Sequence, residues 1–309
     1  LEYSMTMKKT IIFALLITIL LLTACKPVTP QTYTDFLKRE VTLTQPAQRI
    51  VSLAPSNTEL LFAVGAGEQV VGREDFSDYP VEALDVPSVG GSMGDYNLEA
   101  IVALQPDLVL LTELHSPELV HSLEGLGLTV FYLGNPVVLE DLYTNIETVG
   151  KLTGHEGEAA ALVADLTSRV SKVDELVAGT TNRPVIFYEL DATDPAKPWT
   201  AGPGTFVDQL VSRAGGVNLG SSLDGAWVQI SQEELIIQDP DMIFLGDAAY
   251  GTTPEQVAAR AGWENLQAVT KGQISSFDDD LVSRPGPRLV DGLIEFARLL
   301  HPEIADQLP

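Results

Sequence analysis

Cysteine is almost missing from this chain. Of 309 residues only Cys25 carries a thiol, so no intramolecular disulfide is available and oxidative folding is excluded. Histidine is scarce too. His115, His121, His155 and His301 are the whole set, and none forms a two-histidine pair at helical ligand spacing. No metal site is therefore expected. Basic residues are few, 18 Lys+Arg against 43 Asp+Glu, for a formal net charge of −25. Such a surface repels nucleic acid. There is no Gly-rich loop ending in Gly-Lys-Ser/Thr and no Gly-x-Ser-x-Gly elbow. Gly65-Ala66-Gly67 is a Gly-x-Gly, but it follows a helical pattern and reads as a helix C-cap. With no nucleophile–base constellation left, the chain reads as a binding protein and not an enzyme.

Long apolar runs are also short of what a membrane span needs. Lys8 and Lys9 precede Ile11 to Leu22, which is apolar apart from Thr18; a span takes roughly 20 residues. The run leads into Leu22-Thr23-Ala24-Cys25. Small residues before a lone cysteine are the pattern of a bacterial lipoprotein signal, in which the cysteine thiol takes a diacylglyceryl group. Acyl chains at about 0.8 kcal/mol per buried methylene anchor durably. The expected location is extracytoplasmic, on the cell membrane.

From Arg49 onward short apolar runs alternate with helical patterns. Arg49–Ala54, Val70–Gly72, Asp107–Thr112 and Thr129–Leu133 read as strands; Ser56–Val64, Leu98–Leu104 and Pro117–Leu126 read as helices. Ser56 is expected as N-cap of the first helix, with Glu59 completing a capping box. This rhythm predicts a mostly parallel sheet covered by helices. Two helical stretches follow, Val138–Leu152 and His155–Val177, and the second would span roughly 35 Å. A second sheet begins at Pro184. The predicted fold class is α/β, two Rossmann-like lobes joined by one long α-helix. Its expected organisation is a signal peptide over 1–24, a tether over 25–47, an N-terminal lobe over 48–153, a connecting helix over 154–180 and a C-terminal lobe over 181–309.

The lobes echo one another. Asn97-Leu-Glu99 leads through an apolar helix to Pro106-Asp107 and a strand, and Ser231-Gln-Glu233 leads likewise to Pro240-Asp241. Glu99 and Glu233 each stand two residues past an N-cap, in an exposed first turn. Glu234 instead fits a capping box with Ser231.

In open α/β sheets ligands bind outside the carboxyl ends of the strands. Those ends carry Pro55 and Ser56, then Asp75, Phe76 and Tyr79, then Met93 and His115. In the second lobe they carry Trp199, Trp227, Asp280 and Arg284. Aromatic faces with a few polar groups suit a bulky, flat, partly apolar ligand.

Several motifs together resemble one family. Arg49-Ile-Val-Ser-Leu-Ala-Pro-Ser-Asn-Thr-Glu-Leu60, Asp78-Tyr79-Pro80, Asn97-Leu-Glu99 with Pro106-Asp107, and Ser283-Arg-Pro-Gly-Pro-Arg288 are similar to class III substrate-binding proteins of ABC transporters, the cobalamin and iron-siderophore group. The last motif resembles the cobalamin-binding branch. The resemblance covers Arg49 to Pro302. It implies a monomer that holds a small molecule between its lobes, with Glu99 and Glu233 meeting arginines of an ABC permease. It also implies a corrinoid, cobalamin, as bound ligand rather than any cofactor, with Tyr79 and Trp227 at matching aromatic positions. Met93 and Leu281 depart from the pattern, since aromatics are expected there. Arg73 and Arg284 leave a ferric siderophore or haem open as the alternative, because either could face ligand carboxylates.

Overall fold

The computed structural model describes residues 30–92 and 94–309. The signal peptide, Cys25 and Met93 lie outside the described residues. Two antiparallel strands, β1 (Gln31–Thr34) and β2 (Glu40–Leu43), form a hairpin. The expected tether is therefore folded from Gln31 onward. Val41 and Leu43 alternate inward into the core, and Lys38 takes the left-handed conformation at the turn.

The first lobe continues with β3 (Ile50–Ser52), helix α1 (Pro55–Ala63), β4 (Val70–Arg73), α2 (Leu98–Ala103), β5 (Leu108–Thr112), α3 (Pro117–Gly125) and β6 (Val130–Leu133). The strands pair parallel in the order β4-β3-β5-β6. All five residues of β5 are buried, as expected of a central strand covered on both faces.

Helix α4 (Leu139–Thr153) ends at Gly154, whose φ of 79° reverses the chain. Helix α5 (Glu156–Ala178) then crosses to the second lobe. Leu166, Val170, Val173 and Val177 recur at helical spacing and are buried. They belong to one apolar core containing residues of both lobes, from Val41 to Ile304. Each such side chain contributes about 1.5–3 kcal/mol relative to exposure.

The second lobe contains β7 (Val185–Glu189), β8 (Trp199–Ala201), α6 (Phe206–Arg213), β9 (Val217–Asn218), β10 (Trp227–Gln229), α7 (Gln232–Gln238), β11 (Met242–Leu245), α8 (Pro254–Ala258), α9 (Gln267–Thr270), β12 (Ile274–Ser276), α10 (Asp280–Ser283) and α11 (Leu289–Leu300). Its parallel sheet runs β12-β11-β7-β9. Leaving aside the β8–β10 ribbon, both lobes place their strands in the chain order second, first, third, fourth. Helix α5 is tied to this lobe by Arg213, whose Nε and Nη2 donate to Asp174 at 2.9 and 2.8 Å, and by Arg169 with Asp291.

The sequence echo has a physical cause. The Asp107 carboxylate accepts the backbone N–H groups of Gln48 and Arg49 at 2.9–3.1 Å, so it clasps the start of β3. Asp241 accepts the N–H of Val185 at 3.0 Å, at the start of β7. Asn97 and Ser231 cap their helices through their side chains.

Two local expectations are corrected. Helix α1 has Ala54 as its N-cap and Pro55 in its first turn, with no side-chain cap. Ser56 and Glu59 are both buried within the helix, and Glu59 turns toward arginines of the other lobe. Ser231 does accept from the N–H of Glu234 at 3.2 Å. The Glu234 carboxylate, however, accepts from Gln238 one turn on, at 2.9 Å, which leaves the box half made.

Candidate ligand-binding cleft

The loop after β4 presents the first-lobe aromatics, and a buried polar chain fixes it. Thr58 Oγ1 donates to Ser52 Oγ at 2.8 Å and lies 2.8 Å from Ser77 Oγ. Ser77 Oγ donates to Glu74 Oε1 at 2.8 Å, and Glu74 Oε2 accepts the Phe76 N–H at 2.8 Å. Burial holds the Glu74 carboxyl above its ordinary range despite those bonds. Asp75 accepts from Ser88 Oγ and from the Ser92 N–H. The Ser88 bond leads the causes that hold its carboxyl low. Phe76 and Tyr79 stand 55% and 46% exposed, large values for aromatics in a well-packed lobe.

In the second lobe Asp191 and Trp199 form an antiparallel bridge beyond β7. The β8–β10 register pairs Trp227 with Ala201 and Trp199 with Gln229, so the two tryptophans share a face as a diagonal pair. Trp199 is 41% and Trp227 49% exposed.

The lobes meet through charges. Glu59 accepts a bidentate pair from Arg288, Nε at 2.9 Å and Nη2 at 2.6 Å. Arg284 donates to Asp78 at 2.6 Å, pairs with Asp280 at 2.9 Å and comes within 3.7 Å of Glu59. The Arg288 guanidinium lies 4.0 Å from the centre of the Tyr79 ring. Burial raises the Glu59 and Asp280 carboxyls, with the arginines opposing. At Asp78 burial also opposes ionisation, but the Arg284 bond and charge outweigh it and its carboxyl sits low. Tyr188 donates to Asp279 at 2.6 Å, anchoring the start of α10, where Asp280 sits, to the aromatic cluster of Phe244, Phe277 and Phe296.

The structure thus brings Tyr79, Asp280 and Arg284 into one interlobe cluster. It leaves Phe76, Trp199 and Trp227 as open aromatic surfaces. Pro55 is half-buried and Ser56 buried at the start of α1. His115 is not brought to the surface. Its Nδ1 receives the Thr112 N–H at 3.0 Å, and Nε2 lies 2.9 Å from the Leu53 carbonyl and 2.8 Å from the Tyr96 hydroxyl. Burial lowers its pKa, and burial pushes that of Tyr96 up to about 12. Arg73 is likewise engaged within its lobe, by the carbonyls of Ala83, Glu74 and Asp75 at 2.9–3.2 Å. Glu59, Glu74 and Arg288 are the structural residues that sequence reasoning missed as parts of the cleft. Arg288 lay within the closing motif, but its partner is 229 positions away.

A family model described as periplasmic binding protein matches residues 50–281. An ABC transporter substrate-binding lipoprotein of Bacillus subtilis, itself uncharacterized, is 31% identical over 277 residues, 89% of this chain and 86% of the relative. A cobalamin-binding protein of Halobacterium salinarum is 30% identical, covering 88% and 74%. Among solved structures, the periplasmic vitamin B12 binding protein of Vibrio cholerae superposes with a TM-score of 0.70 at 27% identity, covering 85% of this chain and 99% of that one. A periplasmic heme-binding protein from Roseiflexus reaches 0.74 at 26%, covering 83% and 98%. With this match spanning both lobes, the chain belongs to the periplasmic binding protein family, as a substrate-binding component of ABC importers and not an enzyme.

Proposed function

We propose that this protein is anchored by lipid at Cys25, captures a corrinoid such as cobalamin between its lobes, and delivers it to an ABC permease that meets Glu99 and Glu233. The observation that carries the ligand class is an asymmetry of the cleft. Phe76, Tyr79, Trp199 and Trp227 offer exposed aromatic surface, while Arg73 and Arg284, the cations a ligand carboxylate would seek, are already engaged by carbonyls and carboxylates. Haem carries two propionates and many siderophores are anionic; either would have to break those contacts. A corrinoid presents a broad face and neutral amides. Relatives named for cobalamin and vitamin B12 support the same choice. The docking role rests on two exposed glutamates at equivalent helix starts.

Titration of the purified protein with cyanocobalamin, hemin and a ferric hydroxamate, followed by tryptophan quenching and calorimetry, tests the reading. Saturable binding of cyanocobalamin is expected. Binding of hemin or the hydroxamate without cyanocobalamin would transfer the cleft to the alternative ligand class.

A further inference from the structure

In the second lobe a hollow lies just beyond the carboxyl ends of its first and third strands. The loops after β7 and β11 enclose a cavity of about 450 Å³ lined by Leu190, Asp191, Thr193, Asp247, Tyr250 and Thr252, with Ala192. That is within the range of small-molecule pockets, roughly 300–1,000 Å³, and it lies at the position where open α/β sheets bind ligands. The cavity adjoins the aromatic ribbon, since the N–H of Trp199 donates to the Asp191 carbonyl at 2.7 Å.

The walls are acidic and contain no lysine or arginine. The neighbouring Glu189 is neutralised by Arg260, which donates to both of its oxygens at 2.5 and 2.8 Å, so no guanidinium is left for the hollow. Asp191 is exposed at its edge, with one oxygen held by the Thr193 N–H at 2.6 Å. Asp247 is 7% exposed. Its Oδ2 accepts from Thr252 at 2.8 Å, and its Oδ1 has no donor from the protein. A buried carboxylate oxygen without a donor is unfavourable, and such atoms in native folds generally have a role. Among the described residues no group of three His, Cys, Asp or Glu side chains could hold a metal ion; a carboxylate oxygen is an acceptor, and the partner that satisfies it is an N–H or O–H donor.

We propose that this hollow is a subsite for a neutral hydrogen-bond-donating arm of the ligand, a primary carboxamide, received by Asp247 and Asp191. The same negative walls reject a carboxylate at that place. For its natural ligand the assignment rests on the corrinoid reading above, because a corrinoid's periphery carries primary amides; the chemistry of the hollow itself does not.

The test compares cyanocobalamin with its monocarboxylate derivatives, in each of which one peripheral propionamide has been hydrolysed. At least one derivative should bind wild-type protein about tenfold more weakly than cyanocobalamin at neutral pH, the scale of one charge-assisted hydrogen bond. Asp247→Asn, nearly isosteric, should narrow that gap to about threefold or less, and the exposed Asp191→Asn should narrow it in part. Equal affinity of wild type for all derivatives, or an unchanged gap in both variants, overturns the proposal. If cyanocobalamin itself does not bind, the corrinoid reading fails and the subsite is judged by saturation-transfer NMR. Glutaramide should then show transfer that Asp247→Asn abolishes, with none for glutarate. Equal signals for diamide and diacid, or no signal for either, would remove the subsite.

Discussion

Arg288→Met should weaken the fold in a way that depends on pH. Glu59 is 3% exposed, and Arg288 supplies both of its close hydrogen bonds. Removing one partner of a buried ion pair costs about 3–5 kcal/mol, because the other charge stays buried. Arg284, 3.7 Å from Glu59, compensates in part, which favours the lower end, about 3 kcal/mol. Burial raises the folded-state Glu59 carboxyl above 4.5, against the pull of both arginines. Between the unfolded and folded values the folded protein binds more protons, so this group's contribution to stability falls as pH rises through that window. The substitution deletes the lowering influence of Arg288 and pushes the folded value higher still. The deficit should therefore be small, about 1 kcal/mol, at pH 4.5 and reach about 3 kcal/mol at pH 7.5. Urea unfolding at both values reads this directly, and thermal unfolding should drop by roughly 6–12 °C at the higher pH. Glu59→Gln combined with Arg288→Met should be milder than Arg288→Met alone, since no charge is then stranded. A deficit that is the same at both pH values, or one below about 1 kcal/mol at pH 7.5, would refute the reasoning.

Three further outcomes are expected. Tyr79→Ala and Trp227→Ala should each weaken cyanocobalamin binding by about 1–3 kcal/mol in calorimetry, the scale of a buried aromatic anchor. Unaltered affinity in both would remove the aromatic platform. Glu99→Ala together with Glu233→Ala should abolish uptake in cells while ligand titration stays unchanged, with lysine at both sites worse than alanine because like charges repel across the interface. Normal transport by the double alanine variant would reduce both to helix-start glutamates, worth about 0.3–1 kcal/mol each. Cys25→Ser should release the protein from membranes or leave its signal uncleaved; a normally cleaved variant that still sediments with membranes would contradict lipidation.

Much of the architecture was legible because buried parallel strands are short apolar runs. Leu108–Thr112 and Met242–Leu245 need only local sequence to be recognised. The echo between lobes was legible because one carboxylate does the same work twice, at Asp107 and at Asp241. The floor of the cleft was not. Ser56 and Glu59 have the spacing of a capping box, yet with Pro55 in the first turn the N-cap falls two residues earlier, at Ala54, and both side chains are buried. Glu59 then finds Arg288 across more than two hundred residues, a distance at which no local pattern carries information. The hairpin at Gln31–Leu43 escaped because its strands are four residues each and mostly polar outward. Arg73 and Arg284 looked available in sequence, because what satisfies them is mostly backbone carbonyls and distant carboxylates.

That early hairpin also sets a length. A free segment from Cys25 to Ala47 would reach roughly 75 Å when extended, enough for the lobes to wander about two of their own widths from an anchor. Pairing begins at Gln31, six residues past Cys25, and no conformation of six residues reaches beyond about 20 Å. A lipid at Cys25 would then act as a leash and keep capture beside the bilayer, where the search for a permease runs in two dimensions instead of three.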